Sequence, residues 1–237
     1  MVPCNVVELR QYTLHPGQRG TLVSLFERAF IEPQEAVGIR VLGQFEDLDR
    51  PDRFVWFRGF ADMAARLAAL TSFYGGPVWA EHRDAANATM LDSDDVLLLR
   101  PLRPSGGFPR RGREGPGTRE SRRFLLRMFH RAPGANDLGD FCLEHLDPVL
   151  EGTGAPVLAW LETLRERNDY PRLPVREDAD VVVALSVLPD EGALRRHLTL
   201  LAADLGWAEE VVPALRRRIA RDPEHLVLRA TPRSTLF

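Results

Sequence analysis

Residues 6–30, VVELRQYTLHPGQRGTLVSLFERAF, decide the fold because two periodicities meet inside them. From Val6 to Thr13 the residues alternate as a strand does. His15-Pro16-Gly17 then turns the chain, with Pro placed to open a helix. Leu22, Leu25, Phe26, Ala29 and Phe30 recur at three-and-four spacing, which predicts an amphipathic helix over 18–30. Working outward, two strands follow at 39–46 and 53–60, joined by the turn-rich run Asp47 to Asp52. Asp62 can cap a helix over 63–72, Pro77 can open another running to about Met90, and 96–100 reads as a fourth strand. The order is β-α-β-β-α-β, the ferredoxin-like pattern.

Between Pro101 and Ser121 the composition changes to Pro, Gly, Arg and Ser with no apolar period, as in a linker. Beyond it the same order returns: strand 124–130, helix 138–150, strands 157–164 and 180–188, helical stretches 191–204 and 208–221, and strand 225–230. The expected organisation is a domain at 1–102, a linker at 103–121 and a divergent second ferredoxin-like domain at 122–237. A four-stranded sheet with both helices on one face leaves its other face bare, and a second copy in the same chain can cover it. The expected fold class is therefore α+β: tandem βαββαβ repeats closing into one barrel around an enclosed space.

Composition narrows the function. A net charge of −3 gives no global basic field, so nucleic acid is not expected as a partner. All 31 cationic residues are Arg, a bias that weakens Arg as a functional clue. Cys4 and Cys142 are too few for a disulfide scaffold, and a reducing cytoplasm suits them. No apolar run is long enough to cross a membrane and Met1 to Leu9 do not read as a leader, so the protein is expected to be neither secreted nor membrane-spanning.

Strand alternation divides the first unit into two sets. Val7, Leu9, Val55 and Phe57 suit packing under helices. The opposite face, expected to line the enclosed space, then holds Glu8, Arg10, Tyr12, Trp56 and Arg58, with Gln44 from the second strand if its Leu42-Gln44-Glu46 face is the inner one; a one-residue bulge would swap the two sets. Buried charges need partners, so this set is either a satisfied network or a ligand site. The second unit offers Leu126, Met128, Leu158, Trp160 and Val183 with scattered Arg127, Glu162 and Arg229, and is expected to act mostly as a wall.

Several runs carry a resemblance. Glu8-Leu9-Arg10-Gln11-Tyr12-Thr13-Leu14-His15-Pro16-Gly17, Phe30-Ile31-Glu32-Pro33-Gln34, Gly43-Gln44-Phe45, Asp52 to Phe60, Phe73-Tyr74-Gly75-Gly76-Pro77-Val78-Trp79 and His82-Arg83-Asp84-Ala85-Ala86-Asn87 together resemble the NIPSNAP family over residues 5–100. The second half matches only in element order. The resemblance implies a dimeric α+β barrel, a superfamily whose members include cofactor-free monooxygenases, isomerases, cyclases and heme enzymes. Some NIPSNAP members are associated with heme or with scaffolding.

On the helix after Pro77, the residues Trp79, His82, Arg83, Ala86, Asn87 and Met90 fall on one broad face. His82 can carry a proton near neutral pH, Tyr12 can donate to an enolate oxygen, and Arg58 can hold an oxyanion. Trp56 and Trp79 can stack on a flat ring. Each has a structural alternative as a cap, a network member or core. The chain holds no G-x-S-x-G elbow, no Walker A loop, no H-E-x-x-H and no clustered histidines, so no metal site is expected. The expected function is binding of an aromatic or polyketide-like metabolite in the first unit without a cofactor. Catalysis by oxygenation, cyclisation or isomerisation would rest on His82, Tyr12 and Arg58, with Glu8, Arg10, Gln44, Trp56, Trp79, Arg83 and Asn87 as binding residues. The alternative is a heme-binding or scaffolding protein without turnover. A homodimer of barrels is left open.

Overall fold

The computed structural model describes residues 4–103, 108 and 120–236. The first unit runs β1 (Val6–Leu14), α1 (Arg19–Leu25), a π-helical turn (Phe26–Phe30), α2 (Ile31–Ala36), β2 (Arg40–Asp47), β3 (Arg53–Phe60), α3 (Met63–Tyr74), α4 (Pro77–Asn87) and β4 (Met90–Pro101). The second runs β5 (Arg123–His130), α5 (Leu138–Phe141), a π-helical turn (Cys142–Leu146), α6 (Asp147–Gly152), β6 (Val157–Thr163), β7 (Val181–Leu188), α7 (Glu191–Ala203), a π-helical turn (Trp207–Val211), α8 (Val212–Arg216) and β8 (Glu224–Ala230). Asp62 and Asp190 cap α3 and α7 through their carboxylates, each accepting from the backbone N–H three residues on. The fourth strand begins at Met90 rather than Val96, because α4 stops at Asn87 and the Asp-rich run joins the ladder with β1.

The eight strands close into an antiparallel barrel in the order β1-β3-β2-β8-β5-β7-β6-β4. Each unit keeps one internal order, β4-β1-β3-β2 and β8-β5-β7-β6. The units are joined twice, where Phe45 faces Ala230 across β2 and β8 and Leu99 faces Thr163 across β4 and β6. Closure removes every free strand edge from the sheet. The expected linker falls largely outside the described residues. Phe108 within it is described, buried, with its ring 5.3 Å from that of Phe57.

The two faces of the first sheet are the reverse of the sequence expectation. Val7, Leu9, Val55 and Phe57 point into the barrel, where they pack with Leu126, Met128, Leu161, Val183 and Leu226. Tyr12 and Trp56 pack instead against Phe26, Phe30 and Phe73 under the helices. Gln44 stands opposite Trp56 in the ladder and shares that helix-side face. The interior of an eight-stranded barrel has room for side chains and little else, and it is walled by strands alone. Charged groups placed there would find no helix or loop donors. The enclosed space expected inside the barrel is thus an apolar core.

Candidate functional site

In the first unit, four of the residues singled out in the sequence, Glu8, Arg10, Tyr12 and Arg58, meet in one network. Glu8 accepts from Arg10 Nη1, Arg58 Nε and Arg66 Nε, each at 2.7 Å. Arg10 Nε donates to the Tyr12 hydroxyl at 2.8 Å, and Arg58 Nη1 to the Tyr74 hydroxyl at 3.2 Å. Burial alone would raise the Glu8 pKa, but Arg58, then Arg10 and Arg66, hold it well below the carboxylate range. Burial pushes the Tyr12 phenol up, although Arg10 opposes it.

The sequence reading missed Arg66, Tyr74 and a second-unit loop. The β6–β7 connection, residues 164–180, is far longer than its first-unit counterpart at 48–52 and crosses back over the network. Its Asn168 accepts from Arg66 at 3.2 Å, Asp169 pairs with the same guanidinium, and Tyr170 lies 6.1 Å from the Tyr74 ring. No sequence pattern announces that reach.

Beside the network lies a cavity of about 40 Å³ lined by Tyr12, Phe26, Gln34, Trp56, Tyr74 and Trp79, among others. It has room for a few waters and not for an aromatic substrate. Trp56 Nε1, Gln34 Oε1 and both polar atoms of the Gln44 amide are buried without hydrogen-bond partners among the described residues. On α4, Trp79 joins the aromatic wall, with its ring 4.9 Å from that of Tyr74. His82 is half-buried with its ring 6.1 Å from Phe30, whereas Arg83 and Asn87 point to solvent. The expected binding face of α4 is therefore split, since only one stripe of an eleven-residue surface helix meets its neighbours.

The larger space is in the second unit, which was expected to be a wall. A cavity of about 470 Å³ opens between the β5 and β8 strands and the α7 and α8 helices, a size typical of small-molecule sites. Leu146, Leu150, Leu194, Leu201, Trp207 and Phe129 line it with further aliphatic residues, and Arg127 lies in its floor. Arg127 is 4% exposed, and no carboxylate pairs with it among the described residues. Its Nη1 donates to Ser186 Oγ at 3.3 Å and its Nη2 lies 2.5 Å from His197 Nε2. Burial lowers the Arg127 pKa to about 10, which leaves it charged at neutral pH.

The His197 tautomer follows from its partners. Thr153 Oγ1 donates to the Val149 carbonyl at 2.7 Å, so it accepts from His197 Nδ1, 2.9 Å away. Nε2 is then a lone pair turned to the guanidinium. Burial, then the Arg127 charge, pushes the His197 pKa down to about 4. His225 sits opposite Arg127 in the β5–β8 ladder and lines the cavity at its exposed rim, with no hydrogen-bond partner for its ring among the described residues. Among the described residues no His, Cys, Asp and Glu cluster could hold a metal ion, and no helix is long and apolar enough to cross a membrane.

Fold and site together define an α+β barrel of two ferredoxin-like units with its ligand-sized space outside the barrel. Residues 7–105 match the NIPSNAP family model, so the first unit carries a NIPSNAP domain. Nearly the whole chain superposes on solved structures. An anthrone oxidase-like protein matches at 15% identity and a TM-score of 0.62, over 98% of this chain and 94% of that one. A candidate monooxygenase of Fusobacterium nucleatum matches at 9% identity and 0.61, over 97% and 94%, and one of Lactobacillus acidophilus at 10% and 0.58, over 96% and 94%. At these identities the likeness is one of fold. No curated protein matches the sequence.

Proposed function

We propose that this protein binds a small, largely apolar organic anion in the second-unit cavity, with Arg127 holding the anionic oxygen. The observation that carries this reading is the buried guanidinium, without a carboxylate partner among the described residues, at the base of an apolar space of about 470 Å³. A buried cation costs several kcal/mol unless something compensates it, and a bound carboxylate or enolate oxygen would do so. The Phe129 and Trp207 side chains in the wall favour a flat, ring-bearing body.

Oxygenation, cyclisation and isomerisation through a stabilised carbanion all gain from a positive charge that the protein has not already neutralised. In the first unit, the Arg58 and Arg10 charges are turned to Glu8. Arg127 is therefore the better candidate for that role, and Tyr12 and Arg58 read as structural.

Calorimetric titration with 2-naphthoate tests the proposal. Binding is expected in the wild-type protein and in Tyr12→Phe, and is expected to be lost in a folded Arg127→Met variant. Equal binding by Arg127→Met would overturn it.

A heme reading is confined by geometry. The first-unit cavity of about 40 Å³ does not admit a porphyrin. In the second unit both His197 nitrogens are engaged, leaving His225 as the one histidine lining the cavity that could offer a nitrogen to iron.

A further inference from the structure

His225 and Arg127 are direct partners across the antiparallel β5–β8 ladder. Residues so paired project from the same face with Cβ atoms about 5 Å apart. Both line the second-unit cavity. They differ in what they are committed to: Arg127 already contacts Ser186 and His197, while the His225 ring has no hydrogen-bond partner among the described residues. His197 cannot serve as a base here, because its Nδ1 proton goes to Thr153 and its Nε2 lone pair faces a guanidinium.

We propose that His225 is the proton acceptor of this cavity, making it a site of enolisation and proton-shift isomerisation on ketones whose enolate oxygen Arg127 holds. The inference rests on the organic-anion reading above and adds a reaction to it. In the forward step an imidazole nitrogen of His225 takes a proton from the carbon next to the substrate carbonyl. The C–H electron pair becomes the enolate π bond, and the negative charge moves to oxygen beside Arg127. Return of the proton from the imidazolium to the same carbon regenerates the ketone, and return to a conjugated carbon gives the isomer. No oxidant, reductant or metal enters the balance.

The surroundings suit both protonation states. Partial burial, then the Arg127 charge, lowers the His225 pKa below the ordinary imidazole value, so the ring is neutral at pH 7. Other charged groups facing the cavity are Arg216 from α8 and Asp222 from the turn before β8. The rim position of His225 leaves it open to solvent, which lets the proton exchange with water between turnovers.

Deuterium exchange reads this step directly. With 2-tetralone as the probe in D₂O, loss of the C1 proton signal is followed by NMR for wild type, His225→Gln and Arg127→Met, and 2-naphthoate affinity is measured in parallel. The wild-type protein is expected to accelerate exchange over buffer. His225→Gln should lower that acceleration about tenfold or more, within the range ascribed to a positioned base, and remove the limb of its pH profile that falls toward acid. Its 2-naphthoate affinity should stay within about twofold of wild type, as expected of a group that acts on the proton rather than the anion. Arg127→Met should lose both exchange and affinity. Exchange no faster than in buffer, or unchanged in His225→Gln, while 2-naphthoate still binds, would overturn the proton-transfer role alone. Failure of the wild-type protein to bind 2-naphthoate would overturn both readings.

Discussion

Arg127 Nη2 and His197 Nε2 lie 2.5 Å apart in the floor of the second-unit cavity, so a buried cation rests on a neutral imidazole where a carboxylate would ordinarily stand. A fold selected for stability alone would place an apolar or paired residue there. Arg127→Met keeps an unbranched apolar stem in place of the Arg127 methylenes and removes the buried charge. Thermal unfolding of this variant should therefore occur at or above the wild-type temperature, with a gain of up to about 3 kcal/mol, while 2-naphthoate binding is lost. A fall in stability would show that the guanidinium is structural.

The same pair makes stability depend on pH. His197 has a folded pKa of about 4 against an unfolded value of 6.5. Between those values the unfolded chain holds the extra proton, so stability rises with pH through this window and is lost as pH falls from about 6.5 toward 4. One proton gives a slope of at most about 1.4 kcal/mol per pH unit, reduced where solvent reaches the ring. Denaturant unfolding at several pH values should show this slope in wild type and a weaker one in His197→Gln. Equal slopes would reject the neutral-imidazole assignment.

The architecture was legible in the sequence for a physical reason. Both units alternate between period two and period 3.6 in the same order, and Asp62, Pro77 and Asp190 mark helix starts that the structure keeps. The sheet faces were not legible. In the first strand Glu8 and Arg10 alternate with Val7 and Leu9, and either set could face the barrel. Partners supplied from far along the chain decide it, namely Arg66 from α3 and Asn168 and Asp169 from the β6–β7 connection. Arg127 did carry a local signal, as a lone charge inside the apolar run Phe124 to Phe129. Its meaning depended on no carboxylate pairing with it among the described residues, which only the fold reveals.

Glu8 should behave oppositely to Arg127. Three guanidinium groups converge on its carboxylate, which is fully buried. Glu8→Gln removes the charge while keeping the shape, leaving buried cations uncompensated at a cost of about 3–5 kcal/mol. Its depressed pKa places its contribution above the unfolded carboxylate value, to be lost only as pH falls below about 4. Chemical denaturation at pH 7 should show the loss, and 2-naphthoate affinity of the folded variant should remain that of wild type. A stable Glu8→Gln protein with altered affinity would return the first-unit network to a ligand-binding role.

Hemin offers the sharpest contrast between the organic-anion and heme readings. A porphyrin in the second-unit cavity would have to draw an axial nitrogen from His225, because the hydrogen bonds of His197 occupy both of its ring nitrogens. Freeing His197 would strip Arg127 of its contact with the imidazole and cost the Thr153 bond as well, a penalty of a few kcal/mol. Hemin titration of the purified protein is therefore expected to give no saturating, red-shifted Soret band and no competition with 2-naphthoate. A band that saturates at one equivalent in wild type and disappears in His225→Gln would replace the organic-anion reading with a heme site in the same cavity. A band that survives in His225→Gln would place the porphyrin elsewhere and leave Arg127 as the anion holder.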